Sequence, residues 1–218
     1  PSSPDAPAST LPSALTTVLA HSVCAEHFTS KPPMKRGGAL IAPENPRRLE
    51  VLLSRKHGSL RSAEFGDGVE WEFAPPRADM ADILRVHEYT YVRRVLRAVS
   101  STSPARPLSH IDGDTAVSQN SWQAALRAAG SVVEATRRVV EGKARNAFCL
   151  VRPPGHHAGP MGLVTCRRNP MGSHGFCLVN NVAIGAAFAR ARLEHAGVER
   201  VAIVDFDVHH GNGTEACV

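Results

Sequence analysis

Val201 to Thr214 reads VAIVDFDVHHGNGT, a packing of carboxylates, imidazoles and glycines behind a short apolar run. On an extended strand, spacing by two sends Asp205, Asp207 and His209 to one face and Val204, Phe206 and Val208 to the other. Ionised carboxylates at the end of such a run are expensive to bury without a cation or strong donors beside them. A metal ion meets that need most simply, and carboxylate oxygen with imidazole nitrogen suits zinc first, then manganese or iron. The competing reading is a cap or turn, since Asp, Asn and Gly also gather in loops that do no chemistry. So many polar residues directly after an apolar run favour the metal.

A second cluster, Arg152-Pro-Pro-Gly-His156-His157, follows the apolar run Ala147 to Val151. Pro-Pro-Gly makes a stiff turn, so the two imidazoles are held close to the end of the preceding strand. With the two strands side by side, imidazoles and carboxylates would share one rim. That set suits metal-assisted hydrolysis, in which a metal polarises a carbonyl and brings the pKa of water toward about 7 while a histidine takes the proton. A lone His-His pair means little; beside Asp-x-Asp-x-His it is informative.

The elements needed to position these residues read as α/β. Ala147 to Val151 has the continuous apolar character of a buried parallel strand. A small-residue helix from about Asn181 to His195, stopped by Gly197, leads to the strand of the first cluster. Strand, helix and strand in that order imply a right-handed parallel crossover, with sites beyond the carboxyl ends of the strands. Upstream, Asp112-Gly-Asp114-Thr115 introduces a structural helix through Trp122, Ala125, Leu126, Ala129, Val133 and Val140, ended by Gly142. A short strand is expected at Val69 to Phe73, a helix from about Ala78 to Asp82 through His87, and an Arg-rich helix ending at Ser100. His87 reads as a packed or capping histidine. His21 to Leu53 reads as a short strand and a loop entering a helix, with Asn45 as its cap and Pro46 at its first position. Pro1 to Ala20, rich in Ser, Thr, Pro and Ala, reads as a disordered or targeting tail.

With 218 residues, 43% of them hydrophobic and 21% charged, the chain has the composition of one globular domain. No apolar run approaches the roughly 20 residues that span a bilayer. The net charge of +5 is too diffuse to argue for direct reading of nucleic acid. Five cysteines without CxxC spacing point away from a disulfide framework and toward a reducing compartment, nucleus or cytoplasm, unless the tail directs import into an organelle. Cys166, His174 and Cys177 have the ligand chemistry of a second metal site, but separate loop and core thiols are the favoured reading.

Arg152-Pro-Pro-Gly-His-His-Ala158, Gly175-Phe-Cys177, Asn180-Asn-Val-Ala183 and Asp205-Phe-Asp-Val-His-His-Gly-Asn-Gly-Thr214 together resemble the histone deacetylase family, and most closely its class II and related bacterial branch. Weaker matches at Pro43-Glu-Asn-Pro-Arg-Arg-Leu49, Val86-His-Glu-Tyr89 and Asp114-Thr115 extend the resemblance over nearly everything from His21 onward. It implies the arginase-deacetylase fold, a parallel sheet flanked by helices in three layers. It also implies zinc ligands at Asp207 and His209, and tandem histidines at His156 and His157, with His157 as general base and His156 as electrostatic support. Asp205 would accept a hydrogen bond from His156 and, with backbone carbonyls near Asp207, help hold a structural potassium ion. Asn212 would orient His157; class I members carry aspartate there, and neutral Asn stabilises an imidazolium less. Gly175 and Phe176 would line a narrow acyl-lysine tunnel, Asp114 would bind substrate backbone at the rim, and Arg48 would lie behind the tunnel floor.

The resemblance also places a third zinc ligand, an aspartate, and a transition-state tyrosine downstream of Val218. The expectation is therefore that residues 21–218 are the N-terminal part of a deacetylase domain, inactive alone. Gly162 to Ser173 reads as an elongated rim loop that alters substrate choice. The implied reaction is hydrolysis of acetyl-lysine on a histone or other protein, in chromatin regulation, with a corepressor-type complex as partner. The alternatives are an acetylpolyamine or small-amide amidohydrolase and a catalytically inactive binding module. Arginase-like manganese chemistry is disfavoured because it needs more bridging carboxylates.

Overall fold

The computed structural model describes residues 15–30, 42–62, 64–65, 68–165 and 170–218. A parallel sheet lies at one end, with β1 (Thr16–Ala20) between β2 (Val69–Glu72) and β5 (Ala147–Leu150). Val18 stands opposite Trp71 on one side and Phe148 on the other. A two-residue antiparallel ladder pairs β3 (Ser109–His110) with β4 (Ala116–Val117). Six α-helices accompany them among the described residues: α1 (Arg47–Leu53), α2 (Met80–Ile83), α3 (Tyr89–Ser100), α4 (Ser121–Val140), α5 (Asn181–Arg192) and α6 (Asn212–Cys217). None is long and apolar enough to cross a membrane.

The periodicities at Leu49 to Leu53 and Trp122 to Val140 correspond to real helices, whereas the helix expected to run through His87 stops at Ile83. In α4, Trp122, Ala125 and Ala129 face the core with Val92 and Val95 of α3 and Ile184 of α5. A second cluster joins the sheet to α1 through Val18, Leu150, Cys24 and Leu49. Removing such apolar surface from water contributes about 25 cal/mol per Å². The long small-residue face of α4 lets α5 and the sheet pack closely against it. Asn45 caps α1 as expected in kind, its Oδ1 accepting the Arg47 N–H at 3.0 Å, although Pro46 occupies the cap position itself.

Two expectations are corrected. Thr16–Ala20, assigned by composition to the N-terminal tail, is the central strand of the sheet, and Val18, Leu19 and Ala20 are buried. Averaging over a Ser/Thr/Pro-rich stretch hid a five-residue TTVLA run with the β-branched character of a strand. Residues 1–14 of that tail lie outside the described residues. The strand expected after His21 accordingly lies before it, and His21 instead caps a 3-10 turn, Ser22–Glu26, by accepting the Val23 N–H at Nδ1.

The second correction concerns Val201 to Val208. No strand forms there; Val204, Phe206 and Val208 are 83%, 96% and 91% exposed. The bonded neighbour of β5 is β1, so the parallel crossover and the pairing of the two motif-bearing segments are absent. Alternation along a segment says which faces it would present, but a strand exists only where a partner supplies the ladder.

Candidate active site

The Pro-Pro-Gly turn is anchored at its root by a buried cation. Arg152 is 2% exposed and donates through Nε and Nη2 to the Glu44 carboxylate, the Nη2 to Oε2 contact being 2.6 Å. Its other donor sites reach the carbonyls of Cys24 and His27, both at 3.0 Å. All three nitrogens of the guanidinium thus donate, which makes burial of this pair tolerable. Sequence reasoning passed over both residues; the signal was a charged side chain between a buried strand and two prolines, with an acidic residue upstream.

His156 and His157 leave this turn with ring centroids 4.2 Å apart. The Asp205 carboxylate accepts from His156 Nδ1 at 2.8 Å, and Asn212 Oδ1 lies 2.6 Å from His157 Nδ1. Asn212 Nδ2 donates to the Val164 carbonyl at 2.8 Å, so its Oδ1 must be the acceptor toward His157. His157 therefore carries its proton on Nδ1 and turns an unprotonated Nε2 away from Asn212. Partial burial lowers the His157 pKa, the Asn212 hydrogen bond working the other way. Burial opposes ionisation of Asp205, but the hydrogen bonds from His156 and the Asp207 N–H outweigh it and hold this carboxyl below its usual range.

The carboxylates reach the histidines through a turn and helix instead of a strand pair. The Thr214 N–H in α6 donates to the His156 carbonyl at 3.0 Å, clamping the two motifs together. Gly211, with φ of 69°, makes the approach feasible: a Cβ there would lie 2.5 Å from Asp205 Oδ2. Across the cleft, Gly175 has φ of 49°, and its Cβ would lie 2.4 Å from Cδ2 of His157. Phe176 follows in the same left-handed region at φ of 66°, a conformation that costs a non-glycine residue roughly 1–2 kcal/mol.

Asp207 Oδ2 accepts both the backbone N–H and the ring Nδ1 of His209 at 2.8 Å. These hydrogen bonds hold the Asp207 carboxyl below its usual range. The His209 ring lies 5.5 Å from that of His157 between centroids, so both groups stand at one mouth. Among the described residues no group of three or more His, Cys, Asp or Glu side chains is arranged to hold a metal ion. Asp207 and His209 fit zinc in donor type, carboxylate oxygen with imidazole nitrogen, and would be two of the three protein ligands a catalytic zinc takes; here Asp207 Oδ2 and His209 Nδ1 are hydrogen-bonded to each other.

An open cleft of about 1340 Å³ runs over these groups, and all the site residues expected from the sequence line it. One occupies a different setting from that expected. Arg48 is no floor residue: its side chain is 60% exposed on the cleft wall, 3.8 Å from Glu44. Asp114 does reach the cleft, but its carboxylate already accepts from the hydroxyls of Ser173 and Thr115. Cys177 is buried beneath His157, whose N–H approaches its sulfur at 3.5 Å, and burial pushes its thiol up to about 12. His174 stacks on Tyr91. Cys166 lies outside the described residues.

His87 is a fastener: its Nε2 accepts the Asn180 N–H and its Nδ1 reaches the Gly159 carbonyl, both at 2.8 Å. It joins the start of α5 to the loop beyond His157.

A parallel sheet thus carries two oriented histidines past the end of β5, and a glycine turn brings the carboxylates to them. The model of the histone deacetylase domain matches residues 42–218, and the chain belongs to the histone deacetylase family. It is 35% identical over 224 residues to Type-2 histone deacetylase 2 of Dictyostelium discoideum, covering 92% of this chain and 12% of that protein. Acetylpolyamine amidohydrolase of Mycoplana ramosa is 33% identical over 208 residues, covering 82% of this chain and 54% of that protein. Among solved structures, the crystal structure of the HDA15 HD domain matches with a TM-score of 0.72 and 30% identity, over 93% of this chain and 50% of that one. The chain therefore spans about half, or less, of the length of these relatives.

Proposed function

We propose that this site belongs to a zinc-dependent deacetylase that hydrolyses the amide of acetyl-lysine on a histone or other protein. The observation that carries the reading is the unequal pairing of two adjacent imidazoles, one on a carboxylate and one on an amide, facing Asp207 and His209. Asp207 and His209 would hold the zinc ion, which when bound polarises the amide carbonyl and acidifies water. His157, with Nε2 unprotonated, accepts the proton of the attacking water. His156, oriented by the Asp205 carboxylate, gives electrostatic support to the anionic transition state. Water oxygen bonds to the carbonyl carbon, the C–N bond breaks, acetate departs and the lysine amine takes the proton. Phe176 forms the apolar wall for the lysine methylenes. An acetylated protein is the proposed partner, within a corepressor-type complex in the nucleus or cytoplasm.

A second reading, hydrolysis of an acetylpolyamine, draws support from the Mycoplana relative and from the carboxylates of Asp114, Asp205 and Asp207 along the cleft, which suit a polycation. The test is zinc analysis of the full-length protein with turnover of an acetyl-lysine peptide and an acetylpolyamine. Peptide turnover with about one zinc per chain is expected. His157→Ala is expected to abolish turnover and keep zinc, and Asp207→Ala to release zinc. Turnover of the polyamine alone favours the second reading; turnover of neither substrate by zinc-loaded protein leaves a binding module.

A further inference from the structure

The wall of the cleft at Gly175 and Phe176 is held in a conformation that the loop would not choose alone. Two consecutive residues are left-handed, and the first lies against the His157 ring without room for a side chain. Such backbone persists only where its surroundings over-determine it. The constraints come from residues 112–115 and from within the loop. The His174 N–H donates to Asp112 Oδ2 at 2.7 Å, and the Phe176 N–H donates to Thr115 Oγ1 at 3.0 Å. The Gly175 N–H donates to Ser173 Oγ at 2.8 Å, and that hydroxyl in turn donates to Asp114.

Asp112 joins the two segments. Its Oδ1 accepts the N–H groups of Asp114 at 3.1 Å and Thr115 at 2.7 Å, folding 112–115 into a tight turn, while Oδ2 takes His174. Partial burial opposes its ionisation, but these hydrogen bonds outweigh that and hold the carboxyl below its usual range. Both oxygens face donors, so a carboxylate is the side chain that satisfies them. An asparagine would turn an NH₂ toward an N–H on one side or the other.

We infer that Asp112, which does not line the cleft, is a positioning residue that acts through Thr115 and the His174 N–H to set Gly175 and Phe176 against His157. This rests on the deacetylase reading only for its kinetic arm. Loss of the carboxylate frees the loop, the Phe176 wall relaxes, and acyl-lysine binding suffers before the chemistry does.

The experiment uses the full-length protein with Asp112→Asn, Thr115→Val and Thr115→Ser, against Val95→Ala as a control that loosens the buried core elsewhere. In Asp112→Asn, amide hydrogen exchange at His174 and Phe176 is expected to rise at least about tenfold over the control. KM for an acetyl-lysine peptide is expected to rise about tenfold with kcat within about threefold. Thr115→Val should follow the same pattern and Thr115→Ser, which keeps the hydroxyl, should not. Loop exchange and KM in Asp112→Asn that match Val95→Ala would overturn the inference. Should Asp112→Asn fail to fold, equal behaviour of the two Thr115 variants would overturn it instead. Exchange needs no turnover, so a wild-type protein without hydrolysis refutes the deacetylase reading and leaves the positioning role to be decided by the exchange data.

Discussion

Gly211 shows how one hydrogen in place of a methyl group decides whether the two motifs can meet. Its left-handed backbone and the 2.5 Å approach of a would-be Cβ to Asp205 Oδ2 leave no space for alanine. Gly211→Ala is expected to cost roughly 1–2 kcal/mol of stability from the backbone alone. It also displaces the Asp205 carboxylate from His156, with a loss of turnover on the order of 10- to 100-fold. Thermal unfolding and steady-state kinetics of the same preparation check both, and unchanged turnover would separate the Asp205–His156 contact from catalysis. The types and spacing of Asp205, Asp207, His209 and Asn212 pointed to chemistry before any coordinates. The tautomer of His157 did not emerge from them, because it depends on the Val164 carbonyl, 48 residues away from Asn212.

At the scale of elements, the site is assembled by loops pinned to helix starts. His87 links the Gly159 carbonyl to the Asn180 N–H ahead of α5, and burial pushes its pKa down to about 4 from 6.5, with the nearby Gly159 and Pro160 carbonyls opposing. A histidine depressed in the folded state binds more protons when unfolded. Its contribution is therefore complete above pH 6.5 and is lost as pH falls toward 4, by roughly 3 kcal/mol. Urea unfolding between pH 7 and 4 should show a steeper loss for the wild type than for His87→Gln; parallel profiles would mean that His87 does not titrate on unfolding. His27, buried and lowered to about 3, adds a similar slope to both proteins, so the difference between them isolates His87. Helices were the legible elements, since Trp122, Ala125 and Ala129 repeat within one continuous segment. Strand pairing was not, because β1 pairs with β2 and β5, both of which lie more than 40 residues further along the chain.

For the whole molecule, burial is concentrated around α3, α4 and α5 and between the sheet and α1, while Val204 to Val208 contributes little. Substitutions should sort accordingly. In the 218-residue chain, Ile184→Ala, at a fully buried position, is expected to cost about 2–5 kcal/mol. Phe206→Ser should fall within about 0.5 kcal/mol of the parent. Chemical denaturation measures both, and a large loss at Phe206 would contradict the exposure of that ring.

The amino-acid sequence by itself determined the helices, the donor chemistry and the family resemblance, since periodicity and motif composition are local properties carried within short segments. The tertiary structure decided that Thr16–Ala20 is a central strand, that Arg152 and Glu44 pair beneath the histidines, and that Asp205 arrives by a glycine turn. Those outcomes depend on which distant groups supply a hydrogen-bonding ladder, a counter-charge or an empty space, and no window along the chain contains that information.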